Sequence, residues 1–130
     1  MNKELVLSTL EKMGYNVKLD SDGDINVVYQ MKSIAVMVDE EEAFVSVLLP
    51  QFRMIDDDET SAIVAACNKI TRETKLVKVY VDNSFKSVSA SCEFYFANKS
   101  SLKQNLKHSL MVLSIIRSLF RDKYFQLIKD

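Results

Sequence analysis

Apolar residues return every three or four positions through the last thirty residues, and they cover more of a helix than one small sheet can hide. From Ser101 to Ile128 there is neither Pro nor Gly. Leu102, Leu106, Leu113, Ile116, Phe120, Tyr124 and Leu127 form one stripe. Met111, Val112, Ile115 and Leu119 form a second beside it, and Lys103, Lys107, Ser114, Arg117 and Arg121 keep only a narrow strip. Together the two stripes span well over half the circumference, against about 100° for an ordinary surface helix. Such a helix is either sunk in a core or shared with a second chain.

Upstream the period changes. Asn2 to Met13 repeats as a helix, with Leu5, Val6, Leu10 and Met13 on one face, Asn2 as the expected N-cap and Gly14 as the left-handed stop. Tyr15 to Leu19 alternates briefly, and Asp20 to Asp24 turns the chain. Ile25, Val27 and Tyr29 then share one face of a strand. Ile34 to Val38 has no polar face, which predicts a central strand covered on both sides. Phe44 to Leu49 is a further strand ending at Pro50, and residues 51–57 follow no period. Carboxylates at Asp56 to Glu59 mark the start of a second helix whose buried line is Ile63, Ala66, Cys67 and Ile70. Leu76 to Asp82 and Val88 to Phe96 alternate around a turn at Asn83 to Lys86. In the longer run Val88, Ala90, Cys92, Phe94 and Phe96 point inward, with Ser89, Ser91, Glu93 and Tyr95 opposite. The order is α-β-β-β-β-α-β-β-α, an α+β fold with helices packed on an antiparallel β-sheet meander.

Length changes this picture little. At 130 residues a single domain, 1–130, is expected, large enough to bury roughly two-thirds of its unfolded surface. No apolar run approaches the ~20 residues of a membrane span, so no membrane insertion is expected. An acid, Glu4, stands where a signal peptide would begin its apolar segment. Cys67 and Cys92 sit inside apolar patterns and read as buried, reduced thiols of a cytoplasmic protein.

Charge changes it more. The net value of −1 conceals thirteen acids against five bases in residues 1–60, five bases against three acids in 61–98, and seven bases against two acids in 99–130. The acidic front and basic back are expected to attract each other, within the fold or across a dimer. The competing reading is a small-ligand or nucleic-acid binder using the basic face of the final helix, Lys103, Lys107, Arg117 and Arg121. Aliphatics separate these residues, and no aromatic set alternates with Arg in the way that stacks bases, which argues against nucleic acid.

Catalytic chemistry finds no foothold. Asp20-x-Asp22-x-Asp24 begins like a calcium loop but has Ile25 where the bend needs Gly and Met31 where a bidentate Glu should close the shell. An Asp-Gly turn explains the same letters. His108 is the single histidine, flanked at helical offsets by Gln104, Asn105, Met111 and Val112, none of them metal ligands of the usual kind. A pairing of Cys67 or Cys92 with His108 has no local signature. Gly14 and Gly23 are the only glycines, too few for a phosphate loop. No catalytic, metal or cofactor-binding residue is expected, and no cofactor.

Leu48-Leu49-Pro50-Gln51-Phe52-Arg53-Met54-Ile55-Asp56, a strand ending in Leu-Pro, then an aromatic and Ile-Asp before an Ala-rich helix, resembles the YbjN-type family of bacterial sensory transduction regulators. The likeness continues through Ala65 to Ile70, Lys75 to Asp82 and the alternating small and large residues of Val88 to Phe96. It spans roughly residues 10–120. The family is similar in fold to type III secretion chaperones, small acidic dimers that hold an unfolded stretch of a secreted protein. The resemblance therefore implies an αβ sandwich that dimerises and binds protein, without catalytic residues. The greasy run at 110–116 and its basic flank depart from the acidic character of secretion chaperones.

A non-enzymatic protein-interaction module is thus expected, a homodimeric chaperone-like or regulatory protein with an unidentified protein partner. Its contact is expected at Met111, Val112, Ile115 and Leu119 of the final helix, or at Ile63 and Ala66 of the second.

Overall fold

A computed structural model describes residues 1–129. The elements run α1 (Asn2–Lys12), β1 (Asn16–Leu19), β2 (Ile25–Tyr29), β3 (Lys32–Val38), β4 (Phe44–Met54), a single 3-10 turn (Asp57–Glu59), α2 (Thr60–Glu73), β5 (Val77–Val81), β6 (Ser87–Tyr95) and α3 (Lys99–Ile128). This is the order expected from the hydrophobic pattern. All six strands join one antiparallel sheet, ordered β1-β2-β3-β4-β6-β5.

The first four strands form a meander. After β4 the path departs from neighbour-to-neighbour pairing, because α2 carries the chain across to the sheet edge and β6 returns into the gap. β4 and β5 therefore run the same way with β6 between them, a split β-α-β unit.

One face of the sheet is the core. Val27, Ile34, Val45, Val47, Val88, Ala90 and Cys92 are fully or almost fully buried there, against Val6 and Leu10 of α1, Ile63, Ala66 and Ile70 of α2, and the long stripe of α3. α3 hides its wide apolar face against the sheet beneath, α2 alongside and, over a smaller area, α1. Six of its predicted stripe residues, Leu102, Leu106, Leu113, Ile116, Phe120 and Tyr124, are buried. Leu127 is not: it is 40% exposed, near the end of the helix beside the exposed Phe125 and Ile128.

The opposite face carries no helix. Ala35 is half-buried and Met37 is 46% exposed, so β3 is covered on one side only, contrary to expectation. Its open-face positions are apolar but remain at the surface. Ser89 and Ser91 of β6 are buried nonetheless, because their side chains are short and their neighbours overhang them. Lys78 stands opposite Ser91 and reaches Glu93, two residues along, so its stem roofs the serine.

Two termini differ from the sequence reading. Asn2 is the first helical residue rather than the cap. Its amide donates to the Asp39 and Glu42 carbonyls, both at 3.1 Å, and ties α1 to the β3–β4 turn. α3 begins two residues early, where Asn98 caps it. The Asn98 Oδ1 accepts from the Ser101 backbone N–H at 2.8 Å, and Ser101 Oγ accepts from the Asn98 N–H. Gly14, at φ +88°, ends α1 as expected.

Candidate peptide-binding surfaces

The untyped stretch 51–57 turns out to organise the far end of the sheet. β4 does not stop at Pro50. It bulges, with Gln51 at φ +47°, so that Leu49 pairs with Ala90 and Arg53 with Val88. Proline has no N–H to lose to the ladder and tolerates that position. The Gln51 N–H donates to Ser89 Oγ at 2.9 Å. Beyond the bulge, Phe52 meets Phe120 of α3 edge to face with ring centres 5.7 Å apart.

Arg53 lands beside the start of α2. Its two terminal nitrogens donate to Glu59 Oε1 and Oε2 at 2.8 and 3.0 Å, and its guanidinium lies 5.1 Å over the Tyr124 ring. The Tyr124 hydroxyl donates to Glu59 Oε2 at 2.7 Å, and the Asp56 backbone N–H donates to Oε1. These bonds, Arg53's first, hold the Glu59 carboxyl down at about 2.

Next to this cluster lies a cavity of about 400 Å³ with Phe52 and Phe120 in its wall and Lys32, Arg117 and Arg121 around it. A second hollow of about 350 Å³ shares Lys32, Phe52 and Arg117 and extends along the bulge. The basic strip predicted on α3 is thus one flank of the helix opening on two clefts. Arg117 and Arg121 face this cavity, whereas Lys103 lines a smaller cleft against α1 with Lys12 and Lys99.

The expected interface residues do not form one patch. Met111 and Ile115 are 51% and 52% exposed on the outer side of α3, with Leu119 partly buried beside them. Val112, Ile63 and Ala66 lie in the core. On the open sheet face, Val28 and Met37 are uncovered, and Tyr95 rests on Phe44 at 4.9 Å.

The remaining reactive groups are occupied or buried. Burial pushes the Cys67 and Cys92 thiols up to about 11. His108 Nε2 lies 3.5 Å from the Lys75 carbonyl. Asp20, Asp22 and Asp24 converge, but Asp20 Oδ1 accepts the N–H groups of Asp22 and Asp24, as a turn requires. No helix is long and apolar enough to cross a membrane among the described residues.

The result is a one-sided antiparallel sheet backed by three helices, with apolar side chains left uncovered on α3 and on the sheet. The chain belongs to the family of T3SS (YopN, CesT) and YbjN peptide-binding chaperones, whose model matches residues 1–122. Among solved structures it is similar to YbjN from E. coli, at 8% identity and a TM-score of 0.65 over 91% of this chain and 87% of that one. It is also similar to a chain of the HopA1–SchA chaperone–effector complex, at 11% identity and a TM-score of 0.57, covering 85% of this chain and 88% of that one. At these identities the likeness is one of fold. Comparison with curated protein sequences finds no match. The Leu48 to Asp56 segment that carried the resemblance in sequence is the segment that bulges and builds the cavity wall.

Proposed function

We propose that this chain is a non-enzymatic holding protein, which assembles as a homodimer through the outer side of α3 and keeps an extended segment of another protein on its remaining open surface. The observation that carries this reading is what stays uncovered after the core closes. Met111 and Ile115 are half exposed on a helix whose buried stripe is already used by the sheet, α2 and α1. Isolated apolar residues at a surface are ordinary, but two in one helical line with Leu119 beside them are a self-complementary strip of the kind a two-fold contact uses. Membership of a peptide-binding chaperone family supports the holding role, as does the likeness to a chaperone–effector complex.

Two measurements test it together. Light scattering of the wild type should give twice the chain mass, and the protein should suppress aggregation of a chemically denatured client on dilution. A single-chain mass at high concentration would remove the dimer. Failure to suppress aggregation and to retain any client segment would remove the holding role.

A further inference from the structure

We propose that the cavity between α3, the end of β4 and the β2–β3 turn is an anchor for an acidic side chain of an extended partner segment. This deepens the holding role and rests on it. Three cations frame the cavity from two elements, Lys32 at the start of β3 and Arg117 and Arg121 on α3. Among the described residues, neither Lys32 nor Arg117 has an acid within ion-pair distance, and Arg121 has only Asp122 at 3.5 Å on its own helix. Arg53, the fourth cation at the wall, is spent on Glu59. The cavity is therefore cationic at its rim and aromatic within, where Phe52 and the buried Phe120 meet.

That combination selects a peptide over the other anions. In an extended chain, side chains i and i+2 fall on one side about 7 Å apart. One can then reach Arg117 and Arg121 while the next packs on Phe52, and the shared wall of the two hollows leaves room for the chain to continue. A free phosphate could use the arginines alone but would leave the Phe52 and Phe120 wall without an apolar partner, whereas a peptide occupies both. A second copy of this chain is disfavoured by geometry. Its acidic turns, Asp20 to Asp24 and Asp39 to Glu42, flank the far end of β3 from Lys32, about 20 Å away. A two-fold dimer could seat them here only reciprocally, each copy's turns in the other's cavity, and the α3 strip at Met111 and Ile115, on which the proposed dimer rests, does not line that cavity.

The test uses the full chain and fluorophore-labelled peptides in which leucine and glutamate recur two residues apart with serine between, alongside the same peptide with lysine for glutamate. The glutamate peptide should bind, weaken as salt rises, and lose about tenfold or more in affinity against Arg117→Glu with Arg121→Glu. Lys32→Glu, on a different element, should weaken it in the same direction. Arg117 and Arg121 are exposed and Lys32 is half-buried, and matching circular dichroism and urea midpoints would establish that the variants fold. Equal binding of the lysine peptide, or undiminished binding by both variants, would overturn the anchor while leaving peptide holding intact. Failure of the wild type to bind either peptide would overturn both. Displacement of the glutamate peptide by stoichiometric ATP would reassign the cavity to a nucleotide and overturn the anchor as well.

Discussion

Arg53 and Glu59 face each other as a two-toothed pair, 2.8 and 3.0 Å apart, six residues apart in sequence but on opposite sides of the passage from β4 into α2. Arg53 stands at the end of β4 and Glu59 in the 3-10 turn leading into α2. Tyr124, from the last third of α3, closes the group. Three elements are thereby pinned at one point, next to the cavity whose wall they share.

Removing one partner leaves the other part-buried and unpaired. Glu59→Gln should therefore cost about 2 kcal/mol, the scale of hydrogen bonds to charged groups. Tyr124→Phe, which deletes one hydroxyl, should cost about 1 kcal/mol. Urea unfolding with unchanged slope measures both, and equal stability of Glu59→Gln and wild type would show that the cluster is ornamental.

The same pair sets an acid limit. Glu59 in the folded chain titrates at about 2, below its ordinary 4.5, so between those values the unfolded state binds more protons. Stability from this group is fully present above pH 4.5 and is lost as pH falls through about 2. A urea series across that window should slope downward with acid, and Glu59→Gln should flatten the slope.

The helices and most strands were legible because their apolar periods are clean, and α3 above all because no glycine or proline interrupts it. The cluster was not legible. Arg53, Glu59 and Tyr124 meet only through the bulge at Pro50 and Gln51, and a bulge breaks the two-residue period that reveals a strand. Residues 51–57 consequently had no pattern to read. Met37 misled for a different reason: an apolar residue on an uncovered face spells the same letters as one in a core. Asn2 has the chemistry of a cap, yet the turn carbonyls at Asp39 and Glu42, nearly forty residues away in sequence, claim its amide. Ile63 and Ala66 belong to a helix face whose small residues allow close approach, and that feature does not say whether the face meets its own sheet or another chain.

Ile63 and Ile115 separate those two cases. Ile63 is fully buried and Ile115 is half exposed. Ile63→Ala should cost roughly 2–5 kcal/mol through the cavity it leaves. Met111→Asp with Ile115→Asp should leave the urea midpoint at low concentration nearly unchanged and reduce the solution mass to one chain. Collapse of the double variant into insoluble material would mean that this side of α3 is structural.

Neither thiol should react while the chain is folded. Cys67 and Cys92 are buried, and burial carries both up to about 11, so near neutral pH the nucleophilic thiolate is scarce as well as inaccessible. Labelling by a thiol reagent should track urea unfolding for both sites. Rapid reaction of Cys92 in buffer would demand a native opening that exposes the sheet's inner face, and of Cys67 one that exposes the buried side of α2.

Thr71 guards the sheet's outer edge. Its hydroxyl accepts from the Val79 N–H at 2.8 Å and donates to the Val79 carbonyl at 3.2 Å. Those are two of the outward-facing groups through which β5 would otherwise recruit a further strand. Thr71→Val keeps the shape and removes both bonds, leaving a part-buried donor and acceptor without partners. The expected loss is about 1 kcal/mol or somewhat more, together with faster aggregation at high concentration as the freed edge pairs with itself. Thr71→Ser retains the hydroxyl and should restore most of both properties. If Thr71→Val aggregates no faster than wild type, the packing of α2 over β5 protects the edge by itself, and the hydroxyl adds stability alone.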